Sequence, residues 1–178
     1  MKLRQLRAGL AAVGALLAAG LWWPADRAAS AAPVDVCRLV PPDAAMWAVG
    51  AASPGEMVTT SVTPGSCSWR GISPACSMRA LSVAVSVDDR AEARFHALKA
   101  ATASWIGAPG VGDEAFFTAD ALPPGSGVLI EHLHVRRAHM LVELTVLGRL
   151  APESTHQILG DLARTVDERV SGQSSSPM

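Results

Sequence analysis

Leu81, Val83, Val85 and Val87 alternate with Ala80, Ser82, Ala84 and Ser86, the two-residue period of a strand that buries one face. Asp88 and Asp89 then cap a helix whose apolar residues Ala91, Phe95, Leu98, Ala101 and Trp105 recur at three-and-four spacing. The same spacing places Ile158, Leu159, Leu162, Val166 and Val170 on one side of a last helix, about 153 to 169. A shorter helix is predicted over 39 to 49, with Pro41 and Pro42 in its first turn, Asp43 at its positive end and Gly50 as a left-handed stop.

Between these elements the pattern predicts shorter strands. One covers about 57 to 62, and a second carries Cys67 and Trp69 on one face after the turn Thr63-Pro64-Gly65. A third spans 115 to 118, and strands at about 127 to 135 and 138 to 147 form a hairpin around Arg136-Arg137. Gly107 to Gly112 and Leu122 to Gly127 read as loops, and the polar tail 171 to 178 as disordered. Grouped strands with helices between and after them predict an α+β domain, an antiparallel or mixed sheet covered by about three helices. Gly107, Gly110 and Gly112 follow a helix rather than a strand, which excludes a dinucleotide-binding fingerprint.

The N-terminus changes the picture from fold to address. Lys2, Arg4 and Arg7 precede an uncharged apolar run from Ala8 to Trp23, and Ala29-Ser30-Ala31 supplies a small-x-small cleavage pattern. Residues 1 to 31 are therefore expected to be a signal peptide, the single domain to occupy 32 to 170, and the product to be secreted or periplasmic with no membrane anchor after cleavage. The alternative is anchorage by an uncleaved N-terminal helix. From Ala32 onward eleven basic residues face fifteen acidic ones, a balance of −4. Scattered arginines and the lack of tyrosine argue against a nucleic-acid partner.

The polar clusters offer little specific chemistry. Asp113 and Glu114 are adjacent, so their side chains diverge, and the ordinary reading is a glycine turn with Asp113 bonding nearby amides. Ser66, Ser68 and Ser77 lack a nucleophile elbow, the five histidines follow no triad order, and no C-x-x-C pair occurs. Arg136 and Arg137 read as solvated charge at a hairpin tip, and Trp47 and Trp105 as core packing on helices. Strand parity places His132, His134, His139 and Glu143 on one outer face of the hairpin, where imidazoles and a carboxylate suit zinc or copper, or simply make a polar solvent face. The opposite face takes Leu129, Leu133, Val135, Met140, Val142 and Leu144, and also Glu131, which there needs a partner. No catalytic residue and no cofactor is assigned.

Cys37, Cys67 and Cys76 all lie in the exported part, where a disulfide persists, and three leave one thiol over. Spacing alone leaves Cys37–Cys67 and Cys67–Cys76 both open. The runs Val36-Cys37-Arg38-Leu39-Val40, Cys67-Ser68-Trp69, Gly110-Val111-Gly112-Asp113-Glu114-Ala115-Phe116 and Val135-Arg136-Arg137-Ala138-His139 resemble a group of exported, mainly actinobacterial lipoproteins and secreted proteins. Their shared domain is of unknown function and similar to the extracellular sensor domains of some mycobacterial serine/threonine kinases. This chain departs from many members in lacking a lipobox before Cys37 and in having Cys76. The resemblance implies a helix-covered antiparallel sheet, a disulfide between Cys37 and Cys67, and a sensing or binding role for an unknown small molecule or envelope protein. A small exported hydrolase or metal-dependent enzyme is the alternative, which a cleft of converging titratable side chains would favour.

Overall fold

The computed structural model describes residues 34–63, 65–72, 74, 79–120, 128–148 and 152–174. The expected signal segment, its cleavage point and Cys76 lie outside the described residues.

Among the described residues seven strands form one antiparallel sheet: β1 (Met57–Thr63), β2 (Ser66–Gly71), β3 (Ala80–Val87), β4 (Ile106–Gly107), β5 (Glu114–Ala119), β6 (Leu129–Arg137) and β7 (Met140–Gly148). Their spatial order is β1-β2-β3-β7-β6-β5-β4. The chain thus makes one meander, crosses the sheet, and returns by a second meander that brings β7 back beside β3. The helix α3 (Ala91–Ala101) makes that crossing, and α1 (Val36–Leu39), α2 (Pro42–Val49) and α4 (Pro152–Ser174) complete the α+β domain.

The expected helix over 39 to 49 is split in two. Val40, held extended (φ −95°, ψ 120°) by the proline that follows it, separates α1 from α2. Gly50 closes α2 at φ 71°, and the Ala51 amide bonds back to the Met46 carbonyl. α4 continues to Ser174, so the first four residues of the expected disordered tail are helical.

One face of the sheet is the main core. Cys67, Trp69, Leu81, Val83, Leu133, Val135, Leu144 and Val146 meet Val36, Leu39, Ala45, Ala48 and Val49 of α1 and α2 and Ile158, Leu159, Leu162 and Val166 of α4. A disulfide joins Cys37 to Cys67, Cα atoms 5.2 Å apart, and ties α1 to β2 across 30 residues. α3 lies on the opposite face. Its Phe95 meets Phe116 edge-on at 5.0 Å, and Phe116 pairs in register with His134, an outward position. Only Ala91 and Phe95 of the expected apolar stripe are buried, since the helix ends at Ala101 and Leu98 and Trp105 remain partly exposed. Trp47 is exposed as well, so neither tryptophan packs in the core; Trp69 does.

Candidate functional site

The β6–β7 hairpin turns at Ala138 and His139, two residues beyond the expected Arg136-Arg137, with Arg137 opposite Met140. Ala138 takes a positive φ of 48°, and its amide donates to Asp113 Oδ2 at 2.7 Å. Asp113 therefore bonds a nearby amide, as a turn aspartate should, and that amide belongs to the neighbouring hairpin. The glycine loop is tied down with it. A Cβ on Gly112 (φ 58°) would lie 2.6 Å from the Arg136 carbonyl oxygen and from Val135 Cγ1, so only glycine fits that approach.

The arginines are not solvated tip charges. Arg136 is largely buried and donates to Asp113 and Glu114, while Arg137 pairs with Asp167 of α4. Both belong to β6, and each pins a neighbouring segment to the hairpin. Glu114 also receives His96 at 3.1 Å and has Lys99 at 4.0 Å; the His96 hydrogen bond, more than burial opposes it, holds its carboxyl below the usual range.

Each one-residue shift of the turn moves the pairing by two residues, so the two-residue shift moves it by four and preserves the faces. His132 stands opposite Thr145 and His134 opposite Glu143 on the outer face. His132 Nδ1 lies 2.9 Å from Thr145 Oγ1 and 3.5 Å from Glu143 Oε1, and its Nε2 lies 3.4 Å from Asp120 Oδ2. The two imidazoles stack at 5.9 Å, and His134 Nε2 meets Thr118 Oγ1 at 3.1 Å. His139 is not brought to them: it sits exposed in the turn. Among the described residues no group of three or more His, Cys, Asp or Glu side chains is placed to hold a metal ion. The reason is local: Glu143 and Asp120 lie on opposite ring nitrogens of His132, so the groups surround one imidazole instead of converging on a common point.

The two rings are electrostatically distinct. The Glu143 hydrogen bond, aided by Asp120, raises the His132 pKa against its burial. Burial beneath the α3 side lowers that of His134. Glu143 is lowered by the His132 hydrogen bond.

Strand register reveals what sequence reading missed. Thr60, Ser68, Ser82, Thr145, His132 and Thr118 stand side by side across six consecutive strands. At about 4.8 Å per strand they form a polar row roughly 24 Å long. Parity could have put each residue on its face, but the lateral neighbours required the strand order.

On the opposite face Glu131 is buried, as its parity required. Its Oε1 lies 3.5 Å from His156 Nε2, the imidazole stacks on Phe117 at 4.2 Å, and Oε2 has no hydrogen-bond partner. Burial raises its pKa. Nearby, α4 and the hairpin enclose a small, mainly apolar pocket lined by Val135, Met140, Val142, Ala163, Val166 and Val170 and by the paired Arg137 and Asp167, with room for about one water molecule.

No family model matches the chain, and no curated protein matches it. Among solved structures it is similar to the extracellular domain of PknH from Mycobacterium tuberculosis, at 12% identity and a TM-score of 0.46, covering 78% of this chain and 100% of that one. It is also similar to a mutant of the protein Mog1, at 12% identity and a TM-score of 0.29, covering 67% of this chain and 88% of that one. Both likenesses are distant, and function has to be sought in this chain's own geometry.

Proposed function

We propose that the chain is an exported, non-catalytic binding or sensor-like module whose ligand meets the outer sheet face around His132, Thr145 and Thr118. The observation that carries this reading is the polar row on the part of the face beyond α3. Its groups can exchange hydrogen bonds with a ligand. Asp120, His132 and Thr145 do form a carboxylate–imidazole–hydroxyl chain, the feature that favours a hydrolase. Among the described residues, His132 and Thr145 stand within strands whose backbone amides are engaged in the ladder and are not turned toward an oxyanion. The pocket beside α4, for its part, has two titratable lining residues, Arg137 and Asp167, which are paired with each other, and its room for about one water molecule leaves no space for a substrate.

Export is supported by the N-terminal charge, apolar run and Ala-x-Ala pattern together with the Cys37–Cys67 disulfide, which an oxidising compartment maintains. Among the described residues no helix is long and apolar enough to cross a membrane.

Native mass spectrometry of the protein isolated from its own envelope fraction tests the reading. A bound small molecule or envelope protein that is lost in His132→Ala and Thr145→Val, with the fold intact by circular dichroism, is the expected result. Ester, peptide or glycoside hydrolysis that disappears with His132→Ala would instead establish the enzyme.

A further inference from the structure

The two edges of the sheet are built differently. β4 is two residues long, and Pro109 and Gly110 (φ 80°) immediately turn the chain away. A short edge followed by proline offers little to another strand. β1, at the other edge, has seven residues and, among the described residues, pairs only with β2. Its sequence Met57-Val58-Thr59-Thr60-Ser61-Val62-Thr63 contains no charge and no proline. Its regular part, Met57 to Ser61, precedes the one irregularity in its pairing. Val58 within β1 and Ile72 just beyond β2 are 41% and 49% exposed.

We infer that β1 is a self-association edge: two copies of this chain pair their β1 strands antiparallel about a two-fold axis and join their sheets. Three features select a second copy as the occupant. Two-fold symmetry makes the strands antiparallel, the same orientation as every other pair in this sheet. Every opposing residue is then Met, Val, Thr or Ser, so no like charges meet and β-branched residues stand opposite one another. Finally, the blunted β4 edge closes the assembly at two copies, where a second open edge would let it grow into a fibre. An interface of one seven-residue strand and one flanking apolar side chain, Ile72, falls below the roughly 1,200 Å2 of standard interfaces, so the dimer is reversible. Thr60 stands at the β1 end of the polar row, and dimerisation brings the rows of the two copies together at their shared edge.

Sedimentation equilibrium of the exported product, carrying Cys76→Ser to remove thiol-linked species, should show a monomer–dimer equilibrium. Thr60→Lys places two like charges at the edge and should weaken it by about tenfold or more, while Ile106→Lys at the other edge leaves it unchanged. Amide exchange in unsubstituted β1 should slow as concentration rises, a readout independent of how any variant folds. A protein that stays monomeric with concentration-independent β1 exchange overturns the inference. So does a dimer that survives Thr60→Lys or is abolished by Ile106→Lys.

Discussion

Glu131 and Glu143 stand on the same hairpin, each beside a histidine, and their carboxyls shift in opposite directions. Glu131 faces the three-helix side, where burial dominates, one oxygen has no hydrogen-bond partner, and its pKa rises. Glu143 faces the α3 side, where the His132 hydrogen bond outweighs burial and its pKa falls. The difference teaches that a nearby imidazole does not decide the sign; the supply of hydrogen bonds in the layer does. One face is sealed apolar packing with a single misfit acid. The other is a half-covered polar surface with an aromatic clamp, Phe95 on Phe116, at one end.

The strongest way to break this comparison is to remove the clamp. Phe95→Ala should cost about 3–5 kcal/mol in denaturant unfolding, similar to the about 2–5 kcal/mol for Leu133→Ala in the main core. A loss below about 1 kcal/mol would mean that α3 merely rests on the sheet. Next in size is the tie on the sealed face. Replacing Cys37 and Cys67 together by serine should lower stability by up to about 3–4 kcal/mol in the chain-entropy account, read from thermal unfolding under oxidising conditions. No change in midpoint would remove the disulfide from the stability of that face.

Glu131 sharpens the contrast at smaller scale. Its folded pKa is raised above the unfolded value, so its contribution is most favourable at low pH and is lost as pH rises through the folded value. Glu131→Gln should remove that decline, worth up to about 1.4 kcal/mol per pH unit across the window. Parallel pH–stability curves for the two proteins would refute the assignment. Glu143 behaves oppositely: its contribution is present above the unfolded carboxylate pKa and lost as pH falls through the depressed folded value.

The smallest effect lies within the stacked imidazoles. An NMR titration should find His132 titrating above the ordinary value of about 6.5 and His134 below it. In linkage terms, the His132 contribution is present below about 6.5 and lost as pH rises through its folded value. That of His134 is present above about 6.5 and lost on acidification. Glu143→Gln should bring the His132 midpoint down. Two coincident midpoints would erase the distinction between the rings.

Much of the fold was legible in local order. The alternation of 80 to 87, the helical stripe of 158 to 170 and the turn chemistry around Thr63-Pro64-Gly65 are short-range signals, and β3, α4 and the β1–β2 hairpin follow from them. Parity alone set His132, His134 and Glu143 on one face and Glu131 on the other, because a period of two survives the shift of the turn to Ala138 and His139. The fates of Trp47, Trp105, Arg136 and Arg137 were not legible. They depend on where a helix stops and which distant carboxylates arrive: Asp113 and Glu114 from β5 and its preceding loop, Asp167 from α4.

Sequence by itself determined the α+β class and the face on which each hairpin residue lies, since apolar runs and periodicity act between near neighbours. Tertiary structure alone decided the strand order, and with it the polar row from Thr60 to Thr118 and the contrast between an open β1 edge and a blunted β4 edge, while the Cys37–Cys67 bridge that the resemblance implied and spacing left open is present in the fold. The physical reason is that lateral pairing joins residues far apart in the chain. Which strands become neighbours depends on how two meanders and a crossing helix bury their apolar faces together, and no local pattern encodes that choice.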